Sequence, residues 1–174
     1  MHIFLEDSNI IAAKILGDAL TTLSEKEKLQ FHRLLERLVT HAHNKLLRRL
    51  VGRRVEIIGV DSKEGAAIVK FAAFPKNPGD DTIEFAYRLL YHEYKSAGGA
   101  WLLVDVITEE VSLVSSYRSQ FTKIFRRDGF HVLMEKMKAK VKQYESEYGP
   151  EYAEYLELEY GPGHAEYLEL DRLE

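Results

Sequence analysis

Asp105 is the residue whose surroundings first suggest chemistry. It stands alone among apolar neighbours in the run Trp101-Leu102-Leu103-Val104-Asp105-Val106-Ile107. A carboxylate buried in such company has a raised pKa and can serve as a general base. The competing reading is a structural aspartate satisfied by hydrogen bonds. His92, on the preceding strand-like segment, is the nearest partner in sequence for acid–base work. No second carboxylate, glycine-rich phosphate loop or nucleophile elbow accompanies the pair. The catalytic alternative is therefore narrow: an isomerase- or hydratase-like enzyme with Asp105 as base. It requires Asp105 to face a cavity and to lack a structural partner.

Other chemistry-bearing residues give less. His41 and His43 lie two apart on a helical segment, so they point to different faces and make a poor metal site. With no cysteine in the chain, disulfides, thiolate metal sites and a cysteine nucleophile are excluded. No metal and no cofactor are expected. Two basic clusters stand out: Lys45, Arg48, Arg49, Arg53 and Arg54, then Arg118, Lys123, Arg126 and Arg127. They read as solvated helix faces, or as a patch for an acidic partner or a lipid headgroup. Nucleic-acid binding asks for a net basic chain with interleaved aromatics, and the net charge here is -4. No nucleic-acid partner is expected.

That charge is unevenly placed. Residues 145–174 carry ten acids against Arg172 alone, a charge of -9, which leaves 18 acids and 23 bases, +5, in residues 1–144. The two parts are read separately, as a body over 1–144 and an acidic tail over 145–174. The tail repeats itself: EYGPEYAEYLEL at 147–158 and EYGPGHAEYLEL at 159–170. Two copies are too few for a solenoid. Its Tyr and Leu residues suggest that part of it docks on the body near Arg48, Arg49, Arg53 and Arg54.

The elements that must position these residues follow from periodicity. A first helix starts near Asp7 or Ser8, with Ala12, Ile15, Leu16, Ala19 and Leu20 at helical spacing. Ser24 and Glu27 form a capping box for a long second helix. Its stripe is Phe31, Leu34, Leu35, Leu38, Ala42, Leu46 and Leu50, and Gly52 ends it. The period then changes to two over 54–60, 66–74, 82–94 and 100–107. The short turns between these strands force antiparallel neighbours, hence a four-stranded meander. Two helices close the body, the first capped by Ser112, with Asp128-Gly129 between them. The fold class is α+β, with helices packed on one face of the sheet.

The strands carry large apolar faces. Ile83, Phe85, Tyr87, Leu89 and Tyr91 share one face; Glu84, Ala86, Arg88, Leu90 and His92 share the other. Alternation puts Leu102, Val104 and Val106 on one face of the last strand, and Trp101, Leu103, Asp105 and Ile107 on the other. A curved sheet lined this way either packs a plain core or closes around a cavity. No stretch approaches the roughly 18 apolar residues of a membrane span. The opening MHIFLEDSN has neither the basic start nor the apolar run of a secretory signal.

One segment goes beyond spacing. Trp101, Asp105-Val106, Ser112-Leu113-Val114, Tyr117-Arg118-Ser119-Gln120-Phe121 and Gly129 form a series that resembles the signature of the MlaC-type, toluene-tolerance family of periplasmic phospholipid-binding proteins. More loosely, the long helix after Leu23-Ser24 and the Val55-Glu56-Ile57 strand are also similar, and the resemblance spans about 10–141. Glu110 departs from it, standing where the family usually has Gly. The resemblance implies helices around a curved sheet, a cone shape and a deep apolar pocket. It implies a carrier that shuttles phospholipid between an outer-membrane lipoprotein complex and an inner-membrane ABC transporter, as in maintenance of outer-membrane lipid asymmetry. It brings no catalysis. On this reading Ile57, Val69, Phe71, Phe85, Tyr87, Leu89, Leu103, Val114, Tyr117 and Phe121 line the pocket. Tyr117 and Phe121 are placed there because they share a helix face.

Overall fold

The structure is a computed structural model that describes residues 8–77, 79–94 and 98–148. Residues 149–174, which hold all of the acidic repeat after Tyr148, lie outside the described residues, and with them the expected docking of the tail.

Helix α1 covers Ser8–Leu16 and passes through a 3-10 turn, Gly17–Thr22, into α2, Glu25–Leu50. The capping box is formed as the sequence leads one to expect. The Ser24 hydroxyl accepts from the Glu27 backbone N–H at 3.3 Å, and the Glu27 carboxylate accepts from the Ser24 backbone N–H at 2.8 Å. Two of the donors orphaned at a helix start are thereby satisfied. Gly52, left-handed at φ 75, follows the C-cap Val51.

The sheet is antiparallel and in sequence order: β1 Arg54–Lys63, β2 Ala66–Phe74, β3 Ile83–Tyr94, β4 Gly98–Thr108 and β5 Val111–Ser112. The expected meander had four strands; the fifth is a two-residue strand pairing Ile107 with Ser112 and Thr108 with Val111. Two residues are too few to show a period, so periodicity cannot reveal it. Ser112 ends this strand and still caps the next helix, accepting from the Ser115 backbone N–H at 2.9 Å.

Helix α3, Leu113–Tyr148, is broken at Gly129, whose φ of 84 and ψ of 176 are not helical. The two expected helices are thus two arms meeting at that glycine. The second arm runs through Tyr148, so a body ending at 144 would cut inside it. Arg37 of α2 forms an ion pair with Glu145, and the His41 ring lies 5.5 Å from that of Tyr144.

Two apolar clusters hold the body together. Helices α1, α2 and both arms of α3 share the larger one, around Ile15, Phe31, Leu35, Leu38, Leu133 and Met137. The smaller joins the end of α2 to the sheet: Leu46 and Leu50 meet Ala73, Phe85 and Val106, with Phe71, Ile83, Tyr87 and Leu103 beside them. The edge strand β1 takes no part in either cluster. Its residues are exposed except for the partly covered Gly59.

Candidate functional site

A cavity lies where the helices meet β4. Its wall is Ile11 from α1, Val39, Thr40 and His43 from α2, Leu103, Val104, Asp105 and Val106 from β4, and Leu113 and Val114 from α3. On α2 the spacing of Val39 and His43 by four residues sets them one above the other. On β4 a bulge decides the geometry. Arg88 pairs with Asp105 and Leu89 with Leu103, so Val104 is an extra residue without an opposite number. A bulge shifts the alternation by one. Leu103 and Val106 therefore pack in the same cluster against α2. This corrects the regular alternation expected for the strand, which set them on opposite faces.

The wall is mostly apolar, and two of its polar residues, Asp105 and His43, are hydrogen-bonded. Asp105 is buried; one carboxylate oxygen accepts from the Ser112 hydroxyl at 2.6 Å and the other from the Val114 backbone N–H at 3.1 Å. It ties the start of α3 to β4, satisfying a donor that a helix start leaves open. Asp105 does face the cavity, but it has the structural partners that the base of the enzyme alternative must lack. His92 pairs in register with Ala100 and is exposed on β3. Among the described residues no cluster of His, Asp and Glu is arranged to hold a metal. His41 is buried beside Tyr144, while His43 turns to the sheet.

His43 also bridges the joint between α2 and the sheet. Its Nε2 is hydrogen-bonded to the Tyr87 hydroxyl at 2.9 Å. Burial pushes the Tyr87 phenol up to about 12, so it stays protonated and polar near neutral pH. Around it, Phe71 stacks on Phe85 with ring centres 4.9 Å apart, and Tyr87 leans on both.

The residues expected to line a pocket divide into groups. Leu103 and Val114 stand on the cavity wall. Phe71, Phe85 and Tyr87 belong to the adjoining α2–sheet cluster. Val69 and Leu89, both half-buried, lie beside them in register, Val69 opposite Tyr87 and Leu89 opposite Leu103. Tyr117 and Phe121 sit in the helical core: their rings stack 5.1 Å apart, the Tyr117 hydroxyl donates to the Leu38 carbonyl, and Phe121 meets Phe31 edge-on. Ile57 is 63% exposed on the edge strand. Sequence reasoning passed over Ile11, Val39, Thr40, His43, Val104, Val106 and Leu113 as wall residues. The readable signal was Val39 and His43, four apart beside the main stripe of α2.

The cavity offers about 30 Å³. That is room for on the order of two water molecules, whereas pockets that enclose a small organic ligand measure roughly 300–1,000 Å³. An acyl chain does not fit in this cavity as it stands. Among the described residues this cavity, between the helices and β4, falls short of the deep apolar pocket expected.

Comparison with known proteins adds the decisive observation. The sequence model of the MlaC protein family matches residues 5–139. The chain belongs to the MlaC family. The MlaC match takes in the smaller cluster, every residue of the cavity wall and the larger cluster except Val141 and Tyr144, and it ends inside the second arm of α3. Among solved structures, the phospholipid-binding protein of Ralstonia solanacearum, determined in complex with a phospholipid, is similar with a TM-score of 0.64. The two are 16% identical, over 79% of this chain and 74% of that one. At that identity the likeness is one of fold. No curated protein matches the chain. Among the described residues of this MlaC protein, no helix is long and apolar enough to cross a membrane.

Proposed function

We propose that this protein is a phospholipid carrier that holds acyl chains between α2 and the sheet and performs no chemistry on them. The observation that carries this reading is the MlaC match over the sheet, the cavity wall and nearly all of both apolar clusters; a fold shared with a phospholipid-bound protein supports it. The seam between α2 and β4 is the part of the body suited to opening. Its wall is mostly apolar, and α2 meets the sheet through Leu46, Leu50 and the His43–Tyr87 hydrogen bond. Parting them would expose Leu103, Val106, Val114, Phe71, Phe85 and Tyr87 to an incoming chain, with Val69 and Leu89 extending that surface.

The energetics suit a carrier. Each methylene removed from water is worth about 0.8 kcal/mol, so a bound lipid is held strongly without any reaction. Release then depends on a partner that opens the seam or offers a competing apolar surface. On the family's pattern the partners are an inner-membrane ABC transporter and an outer-membrane lipoprotein complex, and the compartment is the periplasm. The test is transfer of a fluorescent phospholipid from donor to acceptor vesicles. The protein is expected to raise the transfer rate in proportion to its concentration. A rate equal to that without protein rejects the reading.

A further inference from the structure

The edge strand β1 is both apolar and exposed. Of the nine large apolar side chains exposed among the described residues, four lie on its ten residues: Val55, Ile57, Ile58 and Val60. Val55 pairs with Ala73, Ile57 with Phe71 and Val60 with Val69. The bulge between Ile57 and Gly59 absorbs one residue, so those three side chains share a face of the sheet. Phe71 packs at the joint with α2, so theirs is the face that meets α2.

The main chain of β1 is open along the same stretch. The turn into β2 is Glu64-Gly65, left-handed at φ 44 and 75, as in a type I′ hairpin. In such a hairpin the flanking residues, here Lys63 and Ala66, exchange main-chain hydrogen bonds, and bonded pairs then alternate with unbonded ones. Counted along β2 from Ala66, Val69, Phe71 and Ala73 turn their main-chain groups to β3. Their partners Val60, Ile57 and Val55 therefore turn theirs to the free edge. An apolar strand open in this way is a template for another strand.

We infer that β1 pairs antiparallel with β1 of a second copy of this chain, about a twofold axis centred on Ile57, so that the two sheets join edge to edge. Charge selects this register. Centred on Ile57, Ile57 faces its own copy, Val55 faces Val60, and Arg54 faces Asp61; the last two contacts occur twice by symmetry. Apolar meets apolar on the α2 face, and opposite charges meet on the other. Centred on Gly59, Arg54 faces Lys63 and Glu56 faces Asp61, like against like, which is destabilising. Centred on Glu56, that carboxylate faces itself; centred on Val60, Ile57 faces Ser62. Within one chain Arg54 touches Glu56 and Asp61 touches Lys70. Exposed pairs of that kind are weak, and the guanidinium keeps further donors and the carboxylate a second oxygen for a partner.

The test uses the full chain. Sedimentation equilibrium over a concentration series should give a monomer–dimer equilibrium. Ile57→Lys sets two ammonium groups together at the axis and should leave a monomer throughout, with its circular dichroism unchanged. Arg54→Asp should weaken the dimer about tenfold, since both symmetry-related charge pairs turn repulsive, and adding Asp61→Arg should restore it. The chain has no cysteine, so Ile57→Cys gives a single thiol at the axis, where facing residues lie within disulfide reach. It should cross-link on mild oxidation, and Val51→Cys, exposed but off the axis, should not. A wild-type monomer at every concentration overturns the inference; slow hydrogen exchange at Val55, Ile57 and Val60 in that monomer assigns the edge to a segment of its own chain. A dimer that survives Ile57→Lys, or that Arg54→Asp strengthens, overturns it as well, because the interface or its register then lies elsewhere.

Discussion

Leu103 and Ile57 separate the cavity from the rest of the sheet most clearly. Leu103 is half-buried on the cavity wall, so Leu103→Asp sets a carboxylate in an apolar seam, where an unpaired charge is costly. The variant should stay folded by circular dichroism and lose vesicle-to-vesicle lipid transfer. Retained transfer shows that Leu103 faces no lipid. Ile57→Lys, on the exposed edge strand, should leave both folding and transfer unchanged. At this scale the sequence was legible where alternation runs unbroken. Phe85 and Tyr87 do share the face that meets α2. It was illegible past Val104, because one bulged residue reverses the phase and nothing in Leu-Leu-Val-Asp-Val marks the insertion. Tyr117 and Phe121 were correctly paired on one helix face, but periodicity says which residues are buried, not whether they border a cavity or a helix.

The β4–β5 hairpin shows how a single element carries strain. Thr108 pairs with Val111, so Glu109 and Glu110 alone make the turn, and both are left-handed, at φ 52 and 62. Two successive positive φ values are the signature of a type I′ turn, which favours Gly or Asn. A glutamate there costs about 1–2 kcal/mol in backbone conformation. Glu109 gains a weak partner in Arg49 at 3.3 Å; Glu110 is the one to change. Glu110→Gly should stabilise the protein by about 1 kcal/mol, after the extra chain entropy of glycine is deducted, and raise the melting temperature by roughly 2–4 °C. An unchanged or lower melting temperature contradicts the turn assignment. Elements were legible wherever their ends carry local chemistry. The Ser24–Glu27 box, Gly52, Ser112 and Gly129 all fall at the breaks they announce. The short β5 was not, since its pairing depends on the turn before it.

For the whole molecule, acid should loosen the joint between α2 and the last arm of α3. His41 is buried there between Tyr144 and the Arg37–Glu145 ion pair, and its pKa is lowered to about 4, first by burial, with Glu145 pulling it up and Arg37 pushing it down. Unfolded, it titrates near the ordinary value of 6.5. Between those values the unfolded chain binds more protons than the folded one, so stability falls as pH drops from about 6.5 towards 4. The loss should be on the order of 2–3 kcal/mol, and His32, lowered chiefly by burial, acts in the same direction. Denaturant midpoints measured across that range should fall with acid, and less steeply in His41→Leu; an equal slope in both proteins contradicts the assignment. Helices, an antiparallel meander and the family signature were all readable in the chain, but the small size of the cavity was not, because it depends on how the helices stand against β4. That leaves occupancy as the most direct question. Native mass spectrometry of protein expressed in a phospholipid-containing cell should give the mass of the chain plus one phospholipid, released on collisional activation. The mass of the bare chain throughout, with no uptake after incubation with vesicles, contradicts the account.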